Sequence, residues 1–235
     1  MAFVEGYPGE KIKGTTIRHW GFLVIVAVML VGLMSYFSSD WKAELPSTLF
    51  TVSIILAIVL FVSHKVNPLG WKKILQRTSF ERTLTQDRMI ADRLAELDDS
   101  HFIFHDITFE LFHVEHLVIS PRGIFVIATV RRNEKLTIQK NSLFAGDDPL
   151  DKVTGNLWRV CHLVNIVIRK GFSEEVMPKP LLVSPEAESV DVGEFDGIAV
   201  MTLDRMNASI ENRKEGSIPQ KLVESFAYYI KKRYT

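Results

Sequence analysis

The chain has 235 residues, 47% of them hydrophobic, and its 28 Lys+Arg are matched by 28 Asp+Glu. The charges balance both before and after His64, which argues against a non-specific nucleic-acid binder, normally rich in excess positive charge. A single cysteine, Cys161, excludes an internal disulfide framework and a cysteine metal cluster.

Two uncharged apolar runs, Trp20–Ser39 and Leu45–Ser63, dominate the N-terminal part. Each would span roughly 28–30 Å as a helix, close to the hydrocarbon thickness of a bilayer. A buried core helix would be shorter and carry a polar stripe. A signal peptide would have a shorter apolar stretch and a small-residue cleavage site, and neither is present. With only Asp40–Glu44 between them, the runs predict a transmembrane hairpin. Lys11, Lys13 and Arg18 precede it, and Lys65, Lys72, Lys73 and Arg77 follow it. Positive charge on both outer flanks places both termini in the cytoplasm of a bacterial-type inner membrane. Trp20, Trp41 and Trp71 fall near the expected interfaces. Gly6, Gly9 and Gly14 precede an apolar span rather than follow a strand, so they form no phosphate-binding loop. The expected organisation is a cytoplasmic segment 1–19, a membrane hairpin 20–63, a juxtamembrane linker 64–82 and a cytoplasmic domain 83–235.

Within that domain the spacing predicts a helix from a Thr85 cap to Leu97, with Ile90, Leu94 and Leu97 on one face. Phe102–Phe109 reads as a strand. A hairpin follows, with arms Leu117–Ser120 and Ile124–Val130 joined by Pro121-Arg122-Gly123, which supplies the fixed φ and the glycine of a tight reversal. Lys135–Phe144 reads as a further strand. Asp147-Asp148-Pro149 is a helix-start signal for a helix from Leu150 to Arg169, packing through Val153, Leu157, Val160, Val164 and Ile168. Cys161 is expected buried within it. Short strands at Pro180–Ser184 and Gly197–Met201 and helices near Asp204–Asn212 and Pro219–Arg233 complete the chain. A long helix between apolar strands is the usual link between parallel neighbours.

The residues able to carry chemistry cluster at the hairpin. Glu115 is the carboxylate that opens its first arm. His101, His105, His113 and His116 lie close by in sequence, and a His/Glu metal site can be drawn from them. Strand alternation sets His113 and Glu115 against His116, however, and no helix offers ligands at i and i+4. Histidines hydrogen-bonded at strand ends are the plainer reading.

The order of elements, with Asp87 in the first helix, Glu115-His116, the Ser120-Pro121-Arg122-Gly123 turn and the Ile124–Ile127 strand, resembles the nuclease-related domain (NERD) family. This family belongs to the PD-(D/E)xK, restriction-endonuclease-like group, and the resemblance covers about residues 83–232. It implies an α-β-β-β-α-β restriction-endonuclease-like α/β core. The family's next strand ends in Glu-x-Lys, where this chain has Ala128 and Val130. Downstream, Asp148-Pro149 stands for the family's Asn-Pro, Lys152 for its Gln and Asn156 for its Asn.

A phosphodiesterase of this group needs carboxylates from two adjacent strands to hold Mg²⁺ and a lysine to orient the attacking water. The resemblance therefore leads to the expectation of a catalytically inactive domain, with no cofactor or metal, anchored in the bilayer and binding protein partners as a scaffold of a membrane complex. Asp87 and Glu115 are equally compatible with ordinary surface or interstrand charges. The alternative is a metal-dependent nuclease with migrated residues, drawn from Arg131, Arg132, Lys135 or Lys152. A third reading is a complex subunit whose soluble domain is a structural lid. Neutral charge favours protein partners over nucleic acid, although Arg131, Arg132, Lys135 and Lys140 could form a local phosphate-binding patch.

Overall fold

A computed structural model describes residues 2–9, 77–109, 112–132, 134–187, 190–212 and 218–234, with the backbone alone for 77–80. The predicted membrane hairpin and Trp20, Trp41 and Trp71 lie outside the described residues. Among the described residues no helix is long and apolar enough to cross a membrane. Residues up to Pro8 and from Arg82 onward form one compact unit.

The centre of this unit is the hairpin. Strands β2 (Phe102–Phe109), β3 (Phe112–Ser120) and β4 (Gly123–Thr129) run antiparallel in sequence order, as their β-branched and aromatic runs predict. The reversal sits at Pro121–Arg122, closed by the Ser120–Gly123 pair. Pro121 cannot take the positive φ of the favoured two-residue hairpin turns, and Gly123, at φ 147°, absorbs the mismatch.

Helix α1 (Arg77–Ala95) precedes these strands, and α2 (Asp151–Phe172) carries the chain from β4 to the parallel strand β8 (Lys179–Ser184). Strand β10 (Ile198–Thr202) adds beside β8, again parallel, and the short β9 (Glu194–Phe195) edges the sheet. Helices α3 (Leu203–Glu211) and α4 (Gln220–Tyr234) close the chain. Near the other edge an unforeseen strand, β1 (Phe3–Glu5), pairs parallel with β2. The sheet order is β1-β2-β3-β4-β8-β10-β9.

Both faces of the sheet are covered, which is why β4 and β8 are apolar almost throughout. Helices α2 and α4 cover one face, where Leu157, Val164 and Phe226 meet Leu117, Val126 and Leu182. Helices α1 and α3 cover the other, where Ile90, Leu94 and Met206 meet Phe125, Ile127 and Val183. The α2 stripe is the expected one, with Cys161 buried as foreseen, except that Val153 is half-buried and Thr154 joins the buried set.

Three local expectations are corrected. Thr85 is not a cap, because α1 begins at Arg77 and carries Thr85 in its interior. Lys135–Phe144 is not one strand but a hairpin of β5 (Leu136–Gln139) and β6 (Ser142–Ala145). Its reversal is made by Lys140 and Asn141, both left-handed at φ 47° and 64°, a turn that the absence of glycine conceals in the sequence. Asp148-Pro149 does not open the helix. It forms β7 against β6, and α2 starts at Asp151 after Leu150, which provides no side-chain cap.

Candidate functional site

The alternation of β2 and β3 breaks at one cross-strand position. In β2, Phe104 faces the α2 side, and so do Ile107 and Phe109, although their parity is opposite. The change occurs at Asp106, held at φ 53° in mid-strand. In β3, Leu117 and Ile119 share the α2 face with Val114, so the same change occurs around Glu115. The ladder passes from His105–His116 to Ile107–Val114 and omits the Asp106–Glu115 position. A non-glycine residue in the left-handed region costs roughly 1 kcal/mol or more, and such residues concentrate where a local geometry is imposed. Here the imposed geometry frees Glu115 from the regular pleat.

The antiparallel β3–β4 ladder ends at His116–Ile127. The Val130 N–H points to β8, where it donates to the Val183 carbonyl at 2.8 Å. The Thr129 N–H therefore points toward β3, and it donates to Glu115 Oε2 at 2.7 Å. The carboxylate replaces the backbone acceptor that the diverging strand no longer supplies. Its other oxygen, Oε1, accepts from Arg131 Nη2 at 2.5 Å. From α1, Asp87 Oδ1 accepts from the Thr129 hydroxyl at 3.0 Å. Asp87 and Glu115, far apart in sequence, thus meet around Thr129.

Their electrostatics follow from this packing. Burial and the neighbouring Glu115 charge push the Asp87 pKa up to about 7, with Arg131 and the Thr129 hydroxyl pulling the other way. Burial works against the Arg131 charge, but Glu115, helped by Asp87, outweighs it and holds the guanidinium above its ordinary pKa.

Ala128 and Val130 point to the α2 face, as alternation predicts. There they line a cleft of about 790 Å³ together with Glu115, Arg131, Lys152 and Asn156. Val130 is 2% exposed and belongs to the core. Lys152 stands across the cleft on the first turn of α2, as an exposed side chain. The cleft therefore gathers Glu115, Lys152 and Asn156 with a methyl and an isopropyl group at 128 and 130, while Asp87 is not among its lining residues.

Of the suggested phosphate-binding patch, Arg131 pairs with Glu115, Arg132 with Glu134 and Asp148, and Lys135 with Asp191. Three of its four cations are thus already engaged by carboxylates, which leaves little free charge for a phosphate. Thr129 and Asp106 were not legible as site residues. Thr129 sits between the two positions that the resemblance emphasises, and nothing in a residue type announces a left-handed φ.

Two of the four histidines differ from expectation, while His101 and His113 lie at strand ends beside carboxylates as foreseen. His105 and His116 do not lie at strand ends but are buried cross-strand partners, with Nδ1 to Nδ1 at 2.8 Å and rings at 83°. Such a contact needs one imidazole to donate and the other to accept, and with both rings neutral, as burial favours, they hold different tautomers. Burial lowers the His105 pKa to about 4, and burial with the adjacent His105 and His113 lowers that of His116 well below its ordinary value. His101 is bound by Asp98 at 2.8 Å, and His113 stands 3.5 Å from Asp106. Among the described residues no three His, Cys, Asp or Glu side chains are arranged to hold a metal ion.

The Mg²⁺ that the resemblance implies can be tested against these donors. A divalent ion needs carboxylate oxygens with free lone pairs directed at one point. Glu115 is already neutralised by the Arg131 cation and accepts from the Thr129 N–H, burial raises the Asp87 pKa to about 7, and residues 128 and 130 offer no donor. The residues do not fit the ion.

The architecture is a mixed α/β fold with a large mixed sheet, compatible with a nuclease-like core. Residues 82–178 match the family model described as the nuclease-related domain (NERD), a span that runs from α1 to the residue before β8. A nuclease-related domain is therefore present in this chain. No curated protein and no solved structure matches it.

Proposed function

We propose that this chain is a multi-pass protein of the bacterial inner membrane whose cytoplasmic nuclease-related domain does not cut nucleic acid. It works as a binding or scaffold subunit of a membrane complex. One observation carries the catalytic part: the strand that should bring a carboxylate and a lysine brings Ala128 and Val130, while Glu115 is tied to Thr129 and Arg131. Losing a metal ligand and a lysine together removes several kcal/mol of transition-state stabilisation, since a single electrostatic contact can contribute about 3 kcal/mol.

The membrane part is supported by the two uncharged runs and their basic flanks. Strand β1 constrains the topology of such an anchor without bearing on whether the runs enter a bilayer. Phe3–Glu5 is hydrogen-bonded to β2, so the chain before the runs and the domain after them share one compartment. The intervening residues then cross the bilayer an even number of times, which a two-helix hairpin satisfies.

The test is a cleavage assay on the full-length protein in detergent, with DNA and RNA and with Mg²⁺ or Mn²⁺. The expected result is no cleavage above background, together with co-purification of a stoichiometric protein partner. Metal-dependent cleavage lost in Glu115→Gln would establish the alternative, a nuclease with migrated ligands.

A further inference from the structure

The misfit between this site and a divalent ion has an identifiable cause. Arg131 follows β4 by two residues and folds back over the open end of the ladder, with Nη2 2.5 Å from Glu115 Oε1. The opposite oxygen is held at 2.7 Å by the Thr129 N–H. An ion bridging β3 and β4 would need these same oxygens, and the fixed positive charge of Arg131 already beside them repels a second cation. The guanidinium is also close enough to Asp87 to act on it, so one cation serves both carboxylates. An arginine does not lose its proton in this setting, and its planar fork suits a carboxylate. The arrangement is internal to the domain: α1 provides Asp87, β3 provides Glu115, and the segment after β4 provides the cation.

We propose that the Arg131 guanidinium is a built-in counter-cation standing in the place of a divalent ion, which closes Glu115 to external metal. This rests on the non-catalytic reading of the same cleft.

The experiment is thermal unfolding of the full-length protein in detergent at mildly alkaline pH, with and without millimolar MnCl₂. Wild-type Tm is expected not to respond to Mn²⁺. Arg131→Gln leaves two carboxylates facing each other, and Tm falls by about 2–4 °C. Mn²⁺ returns the lost stability, because the ion resumes the neutralising role. Arg131→Lys keeps the wild-type Tm and the insensitivity to Mn²⁺. Arg131→Gln combined with Glu115→Gln shows no Mn²⁺ response.

The proposal is overturned if wild-type Tm rises with Mn²⁺ and loses that rise in Glu115→Gln. It is equally overturned if Arg131→Gln leaves Tm unchanged, or lowers it with no recovery in Mn²⁺, since either result describes an ordinary surface pair. Should Arg131→Gln fail to accumulate, the double variant decides: accumulation without a Mn²⁺ response supports the proposal, and failure or a response overturns it. The cleavage assay reports separately on the catalytic reading, because cleavage unaffected by Glu115→Gln would refute inactivity while leaving the Mn²⁺ result intact.

Discussion

Asp87 shows how one side chain couples site chemistry to stability. Its folded-state pKa is raised from 3.8 to about 7, chiefly by burial and then by Glu115. The folded protein therefore holds a proton that the unfolded chain has released, and stability falls as pH rises from about 4 to about 7. Asp87→Asn keeps an oxygen for the Thr129 hydroxyl and removes the titration. Relative to wild type, the variant should gain stability across that window, on the order of 1 kcal/mol after allowance for solvent screening. Urea midpoints of both proteins at pH 5 and pH 8 check this, and an equal difference at the two values would refute it. Glu115, Ala128 and Val130 could be picked out in the sequence by their offsets from a recognisable turn, and Asp87 as an acidic position in the first helix. Their joint attachment to Thr129 was not legible, because it depends on the left-handed Asp106 and on where the β3–β4 ladder stops.

At the level of elements, the central hairpin and the α2 helix declared themselves through periodicity and a Pro-Gly turn, and their registers follow. The β5–β6 hairpin did not, because Lys140-Asn141 makes its turn without glycine and the run reads as a single strand. Two non-glycine residues at positive φ hold that turn at a cost that glycine would relieve. Asn141→Gly should therefore stabilise the domain by about 0.5 kcal/mol, because relief of the left-handed strain exceeds the added freedom of the unfolded chain. Denaturant unfolding measures it, and a loss of stability would show that the Asn141 side chain makes the turn favourable. Strand β1 was missed for a different reason. Three residues carry no period, and only the exposed edge of β2, remote in sequence, gives them a partner.

For the whole molecule, β1 ties the start of the chain to a domain that resumes only at Arg82. The attachment is specific. The Phe3 N–H donates to the His101 carbonyl at 2.9 Å, the Phe3 ring stacks on Phe102 at 5.1 Å, and Glu5 pairs with Lys231. A strand added at an edge in this way cannot form across a bilayer, so the proposed membrane hairpin has to return the chain to the side from which it left. Basic residues flank the pair on both outer sides, and in the proposed topology these flanks select the cytoplasm. A fluorescent protein fused before Met1 or after Thr235 should therefore fluoresce, and alkaline phosphatase at either position should stay inactive. The same phosphatase placed between Asp40 and Glu44 should become active. Opposite compartments for the two termini would break the argument at its strongest point, because β1 would then have no strand to join. If both termini lay in the periplasm, β1 would be preserved and only the charge rule would fail.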